Sequence, residues 1–329
     1  MRGCLVVGFV LLIASPVLGD VPFGEKSTVV FATAEQGREL LSQRDDYIRR
    51  LSPLDLAVRL RTADDVDVDD YVAVVKASVV EWSAEEKTRL TKLLTAMQDR
   101  GRRYARALPP RVLLIKTNGS DESGAAYTRA DAVVLPQGRL GADDAEVEKL
   151  LWHEFFHVLS RHNPTLRDEL YGLIGFTKCG EVALPADVAD RKITNPDAPH
   201  HEHALQIKVD GQPRPATPIL LSTRAREQAG DGGSFFQFID VQLLVLEQDA
   251  KTGAARALVQ DDKARLVPLK EAPDFFSQIG GNTGYIIHPE EIVADNFALA
   301  AMETTDVPNP ELLAKVREVL TSDAPATSK

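Results

Sequence analysis

The strongest structural signal in the sequence is a capped amphipathic segment over residues 145–161. Asp143 stands three residues before Glu146, a spacing typical of a helix N-terminus in which a carboxylate accepts hydrogen bonds from free backbone N–H groups. Beyond it, apolar residues recur at the three-to-four-residue spacing of one helix face. They are Val147, Leu151, Phe155 and Val158. The pattern predicts a helix whose apolar side faces the core.

The same segment contains the run His153-Glu154-Phe155-Phe156-His157. Residues i and i+4 share one face of an α-helix, so both imidazoles can converge on one metal ion. Zinc with three protein ligands keeps one position for water and lowers the pKa of that water to about 7. The neighbouring Glu154 can then accept the proton. The spacing therefore favours a zinc site over two helical histidines with ordinary hydrogen bonds.

A third ligand is expected downstream, in the segment 289–296 with the sequence PEEIVADN. Glu291 and Asp295 are four residues apart on a second predicted helix and therefore lie on one face. Glu290 is the alternative ligand. The residue four positions after Glu290 is Ala294.

Together, the two segments resemble the zinc site of the gluzincin metallopeptidases, the thermolysin- and neprilysin-like group of zincins. In that group a Glu on a second helix is the third zinc ligand, and an Asp four residues later hydrogen-bonds a ligating His. The resemblance implies that the zinc ligands are His153, His157 and Glu291. It also implies that Glu154 is the general base and that Asp295 orients His153. Ala294 could not orient a histidine by a hydrogen bond, so the resemblance favours Glu291 over Glu290. The likeness covers only these two segments, and Glu291 lies 134 positions after His157.

The resemblance and the hydrophobic patterning together predict an α+β, zincin-like fold. We expect a strand at Val112–Lys116 and another at Ala132–Leu135, the second lining the cleft and pairing with an extended peptide. The expected regions are a helical N-terminal part (20–110), a β-hairpin with the zinc-binding helix (111–175), a β-rich insertion (176–284) and a helical C-terminal part with the third ligand (285–329).

A donor near the developing oxyanion would complete such a site. In zincins a Tyr or a His often supplies it, and Tyr285 and His288 stand just before Glu291 at the entry to its helix. Either residue is a candidate, and each could instead be a packing or helix-entry residue. A second histidine cluster, formed by His200, His201 and His203, fits an exposed polar loop better than an accessory metal site.

The first nineteen residues have the three-part layout of a secretory signal peptide. A basic start at Arg2 precedes an apolar run over Cys4–Ala14, and small residues follow up to Gly19. The run is shorter than the roughly 20 residues of a membrane span. We therefore expect cleavage after Gly19, a secreted or periplasmic protein and no stable membrane span, although an uncleaved anchor is the alternative.

Charge and composition restrict the partners further. Lys and Arg number 38 against 49 Asp and Glu, giving a formal net charge of −11. No Lys/Arg run supplies the basic face that binding nucleic acid through its phosphates requires. We expect a zinc-dependent metallopeptidase with a peptide or protein substrate. The alternatives are a catalytically inactive zinc-binding protein of the same fold and a metal-free structural protein; the sequence does not give the oligomeric state.

Overall fold

A computed structural model describes residues 20–230, 235–249 and 254–322. The expected signal peptide (1–19) lies outside these ranges, as do residues 323–329. In the described ranges the chain is a mixed protein of helices and curled sheets, compatible with the predicted α+β class. None of the helices in these ranges has both the length and the apolar character that crossing a membrane requires.

The region 20–110, which the sequence analysis expects to be helical, begins with two strands that precede its helices. Strands β1 (Asp20–Phe23) and β2 (Ser27–Phe31) pair antiparallel. In β1, the buried Val21 and Phe23 alternate with exposed residues, the period of a half-buried strand, and a segment this short cannot show a helical period. Helices follow: α1 (Ala34–Leu41), α2 (Asp46–Arg49), α3 (Pro53–Leu60), α4 (Val68–Ser78) and α5 (Ala84–Tyr104).

Two further strands lie where the sequence predicts them, but they do not form a hairpin. They are β3 (Arg111–Thr117) and β5 (Ala132–Pro136), which pair in parallel. A short strand between them in sequence, β4 (Tyr127–Arg129), pairs antiparallel with β5. Because β4 already reverses the chain, β5 runs in the same direction as β3. The sheet order is β1-β2-β3-β5-β4.

The position of β5 also contradicts the expectation that Ala132–Leu135 binds an extended peptide. β5 has β3 on one side and β4 on the other, and Ala132 to Leu135 are fully buried. A strand paired on both sides offers no free backbone groups to a peptide. The edge strand next to β5 is β4, where the carboxylate of Asp197 accepts a hydrogen bond from the Thr128 N–H at 2.7 Å.

Helices α6 (Asp144–His162) and α7 (Pro164–Gly172) follow the first sheet, and a β-rich segment comes next. Its elements are β6 (Thr177–Lys178), α8 (Ala186–Ala189), β7 (His203–Val209), β8 (Gln212–Ser222), β9 (Ile239–Gln248), β10 (Ala255–Ala257), β11 (Val259–Gln260), β12 (Lys263–Ala264), β13 (Leu266–Pro268) and α9 (Pro273–Ile279). The main sheet has the order β10-β9-β8-β7-β6, and β13 also pairs with β9. Strands β11 and β12 form a separate pair.

Two helices follow, α10 (Pro289–Ala301) and α11 (Pro310–Thr321), and both pack against α5 and α7. α10 packs directly against α6. Phe297 of α10 lies between two aromatic rings of α6, with ring centroids 5.9 Å from Trp152 and 5.5 Å from Phe156. All three side chains are fully buried. This packing brings the first turn of α10 beside the two histidines of α6.

Candidate metal centre

The start of α6 determines where its histidines lie. The side chain of Asp143 accepts a hydrogen bond from the Glu146 N–H at 2.9 Å, and the helix begins at the next residue, Asp144. The predicted apolar stripe is buried in the core. His153 and His157 then lie one turn apart on the side that faces α10, with ring centroids 4.7 Å apart.

The start of α10 places two glutamates beside these rings. Pro289 occupies the first turn, where its missing N–H costs nothing. The side chain of His288 caps the helix, since its Nδ1 accepts a hydrogen bond from the Glu290 N–H at 3.0 Å. Glu290 and Glu291 therefore both lie in the first turn, and both are buried.

His153, His157 and Glu291 form a group that can hold a metal ion. One ligand atom of each lies within 4.8 Å of the others. Oε2 of Glu291 is 3.0 Å from Nε2 of His153 and 3.5 Å from Nε2 of His157. The side chains of His157 and Glu291 are at most 2% exposed and that of His153 is 12% exposed, so water has little access to the donor atoms.

A carboxylate occupies the other ring nitrogen of each histidine. Asp295 Oδ1 is 2.9 Å from Nδ1 of His153, and Glu290 Oε1 is 2.9 Å from Nδ1 of His157. A carboxylate at Nδ1 selects the tautomer that leaves the Nε2 lone pair for a metal. The geometry thus gives Asp295 the partner expected from the sequence. Glu290, the alternative ligand, lies on the far side of His157 instead.

The two carboxylates are themselves held in place. The hydroxyl groups of Ser160 and Tyr171 donate to Glu290, and that of Thr283 donates to Asp295. Neither Ser160 nor Tyr171 is marked in the sequence by any recognisable spacing. Their role becomes visible only when α6, α7 and α10 are packed together.

Two buried atoms test whether the site fits a divalent ion. Nε2 of His157 and Oε2 of Glu154 are buried without a hydrogen-bond partner among the described residues. Such atoms are costly unless something satisfies them. An ion among the three side chains would coordinate Nε2 of His157, and a water molecule beside that ion would donate a hydrogen bond to Oε2 of Glu154. Two imidazoles and a carboxylate also form a common zinc donor set, so the residues fit the ion.

Charges within the site shift the pKa of its groups. Burial alone would lower the pKa of His153, but the hydrogen bonds to Asp295 and Glu291 outweigh it and raise that pKa to about 9. Burial would raise the pKa of Glu291, yet the two imidazoles hold it well below its usual range. The metal-free site therefore holds protons on its imidazoles, and a cation would replace them.

Glu154, the expected general base, lies in an environment that favours its neutral form. Burial raises the pKa of its carboxyl to about 8, the neighbouring Asp197 adds to the shift, and the two histidines oppose it. A carboxyl group whose pKa lies near neutrality can both accept and return a proton under ordinary conditions.

The structure adds two residues that sequence reasoning missed, Asn195 and Asp197. The amide of Asn195 donates to Glu291 Oε1 at 2.6 Å. Asp197 forms a second potential metal-binding group with Glu154 and His157. Their sequence, Asn-Pro-Asp, indicates only a turn. The proximity arises because this loop, between α8 and β7, contacts β4 through Asp197 and α10 through Asn195.

A cavity of about 560 Å³ opens onto the group. His153, Glu154, Glu291 and Tyr285 line it together with Asp197. The ring of Tyr285 lies 6.1 Å from that of His153 and is 42% exposed. Partial burial and then nearby carboxylates raise the pKa of its hydroxyl well above the usual range, so this hydroxyl stays a hydrogen-bond donor.

His288 does not belong to this cavity, and its predicted role at the oxyanion is wrong for this geometry. Its Nδ1 caps α10, and its Nε2 is 3.1 Å from the carbonyl oxygen of His200. Both ring nitrogens are therefore occupied, and the ring is buried. Burial lowers the pKa of His288 to about 4, so the ring is neutral. His288 is a helix cap.

The second histidine cluster is not the exposed loop that the sequence suggests. His200 is partly exposed and lies in ion-pair contact with Asp46 and Glu181. His203 is buried and contacts Asp168, 2.9 Å from its Nε2. His201 is partly buried, and burial lowers its pKa to about 3. In the described ranges, these histidines do not join any group able to hold a metal ion.

Comparison with known proteins gives no relative: no protein-family model, no curated protein and no solved structure matches the chain. The function must therefore be argued from the geometry of the site.

Proposed function

We propose that the protein is an exported zinc-dependent metallopeptidase. The observation that carries the proposal is a carboxylate oxygen of Glu154 that no described residue hydrogen-bonds. It is buried beside a group of two imidazoles and one carboxylate at the wall of an open cavity. The N-terminal signal pattern supports export. The resemblance of the two ligand segments to gluzincins supports the choice of reaction.

In this proposal His153, His157 and Glu291 hold the zinc ion. When bound, zinc supplies Lewis acidity, which activates water and polarises the scissile carbonyl group. Asp295 and Glu290 fix the orientation of the two imidazoles through their hydrogen bonds to Nδ1. These contacts keep the donor atoms aligned before any ligand arrives.

Proton transfer falls to Glu154. Its Oε2 has no hydrogen-bond partner within the part of the chain that the structure describes, and it can take a proton from the attacking water. The same carboxyl group then delivers this proton to the nitrogen of the leaving amine, so the proton count balances over the cycle. Tyr285 lies at the cavity wall and can donate its hydroxyl proton in a hydrogen bond to the developing oxyanion.

The test compares the wild-type protein with Glu154→Gln. We expect both proteins to bind one zinc ion and only the wild type to cleave a mixed library of unstructured peptides, with a loss of about 100-fold or more in the variant. Glu169→Gln on α7 removes an exposed carboxylate and is the matched control, with cleavage expected at the wild-type rate.

Equal cleavage by the wild type and Glu154→Gln would refute the role of Glu154. Zinc binding without cleavage in any of the three proteins would favour the alternative, an inactive zinc-binding protein. Absence of zinc from all three would support a metal-free structural protein instead.

A further inference from the structure

The two oxygens of Glu291 have different partners. Oε2 faces both imidazoles, at 3.0 Å from His153 and 3.5 Å from His157. Oε1 points away from them and accepts a hydrogen bond of 2.6 Å from the side-chain amide of Asn195. The oxygen that meets the amide is thus not the one that meets the ligating rings.

The orientation of the Asn195 amide follows from its other contact. Its Oδ1 accepts a hydrogen bond of 3.1 Å from the backbone N–H of Asp197. A backbone N–H can only donate, so the amide oxygen must face it and the NH₂ group must face Glu291. Rotation of the amide by 180° would place its NH₂ group against the Asp197 N–H, which is also a donor. It would also place its oxygen against Oε1 of Glu291, which is also an acceptor.

The loop that carries Asn195 is anchored on both sides. Before it, the Thr194 N–H donates to Asp55 Oδ1 at 2.8 Å, and its hydroxyl donates to Asp55 Oδ2 at 2.7 Å. After it, Asp197 Oδ1 accepts from the N–H and the hydroxyl of Thr128 on β4, at 2.7 and 2.6 Å. The amide is therefore held at Glu291 by contacts that do not involve His153, His157 or Glu291 itself.

We infer that Asn195 is a positioning residue for the metal ion: its amide engages Oε1 of Glu291 and so presents Oε2 alone to the ion. This inference rests on the metal site of the proposed function, but not on peptide cleavage. An amide satisfies the buried oxygen without adding a positive charge, which would compete with the ion for the carboxylate. Hydrogen-bond partners of metal ligands typically contribute a factor of about 10–100 to metal affinity.

The test measures metal binding rather than activity. Zinc affinity is measured by competition with a chromophoric chelator, and the coordination geometry is read from the visible absorption spectrum of the Co²⁺-substituted protein. We expect Asn195→Ala to lower zinc affinity by about 10–100-fold and to change the Co²⁺ spectrum, because Oε1 becomes free to coordinate. Asn195→Asp, which keeps the acceptor for the Asp197 N–H, should also change the spectrum.

Asn309→Ala is the matched control, since it removes an amide that caps α11 and contacts no ligand. We expect it to lower the thermal midpoint of the metal-free protein while zinc affinity stays within about twofold of wild type. Wild-type affinity and spectra in both Asn195 variants would overturn the role of Asn195 and leave the metallopeptidase proposal standing. A wild type that binds zinc but cleaves nothing would refute the metallopeptidase proposal and leave the role of Asn195 standing. A wild type without zinc affinity would refute both.

Discussion

Phe297 joins the two helices that carry the metal-binding group, and its removal should loosen both the core and the site. Its ring is fully buried between Trp152 and Phe156. Phe→Ala in a packed core costs about 3–5 kcal/mol. Each of the two aromatic contacts accounts for about 0.5–1.5 kcal/mol within that cost. We therefore expect Phe297→Ala to lower the free energy of unfolding by about 3–5 kcal/mol.

Urea denaturation of the chelator-treated protein, followed by tryptophan fluorescence, measures this loss without any contribution from metal. Phe297→Leu keeps most of the volume but removes both aromatic contacts, so it should cost about 1–3 kcal/mol, less than Phe297→Ala. A second measurement at saturating zinc tests the site, because an ion present at a hundredfold its Kd adds about 2.7 kcal/mol to the folded state. In Phe297→Ala we expect that gain to shrink, since α10 also carries Glu291. A loss under 1 kcal/mol would refute the reasoning.

Two more predictions concern charged groups. Glu290→Gln should lower zinc affinity by about 10–100-fold, because it weakens the hydrogen bond to His157, and Glu291→Gln should lower zinc affinity further. Competition with a chelator measures the zinc affinity of both variants. A greater loss in Glu290→Gln than in Glu291→Gln would make Glu290 the ligand. Burial raises the pKa of Glu181, but His200 and Arg50 outweigh it and lower that pKa from 4.5 to about 2. The stability due to Glu181 is therefore present above pH 4.5 and lost as the pH falls towards 2. Because Glu181 and its partners are partly exposed, Glu181→Gln should lower the free energy of unfolding by less than about 1 kcal/mol at pH 7 and not at all near pH 2. Urea unfolding at the two pH values measures this difference. An equal loss at both pH values would contradict the assignment.

Local sequence patterns predicted those parts of the site that depend on helix periodicity. The cap at Asp143 starts α6, and the four-residue spacing then puts His153 and His157 on one face. The same spacing puts Glu291 and Asp295 on one face of α10. These relations need no tertiary information, because a helix fixes which residues are neighbours along it.

The errors arose where distant segments meet. Ala132–Leu135 is a strand as predicted, but whether it is central or at an edge depends on β4, whose three residues are too short to give a signal. His288 has the right residue type for an oxyanion donor, yet capping α10 uses the ring nitrogen that faces Glu290. The hydrogen-bond partner of such a side chain depends on packing, which a single sequence does not encode locally.

The sequence by itself determined which residues could bind a metal ion, because ligand type and helical spacing are local properties. Only the tertiary structure decided how they are supported. Glu290 hydrogen-bonds His157, Asn195 engages Glu291, and Asp197 joins the loop to the edge strand. These contacts link residues far apart in the chain, and they form because a buried polar atom needs a partner wherever the fold brings one within reach.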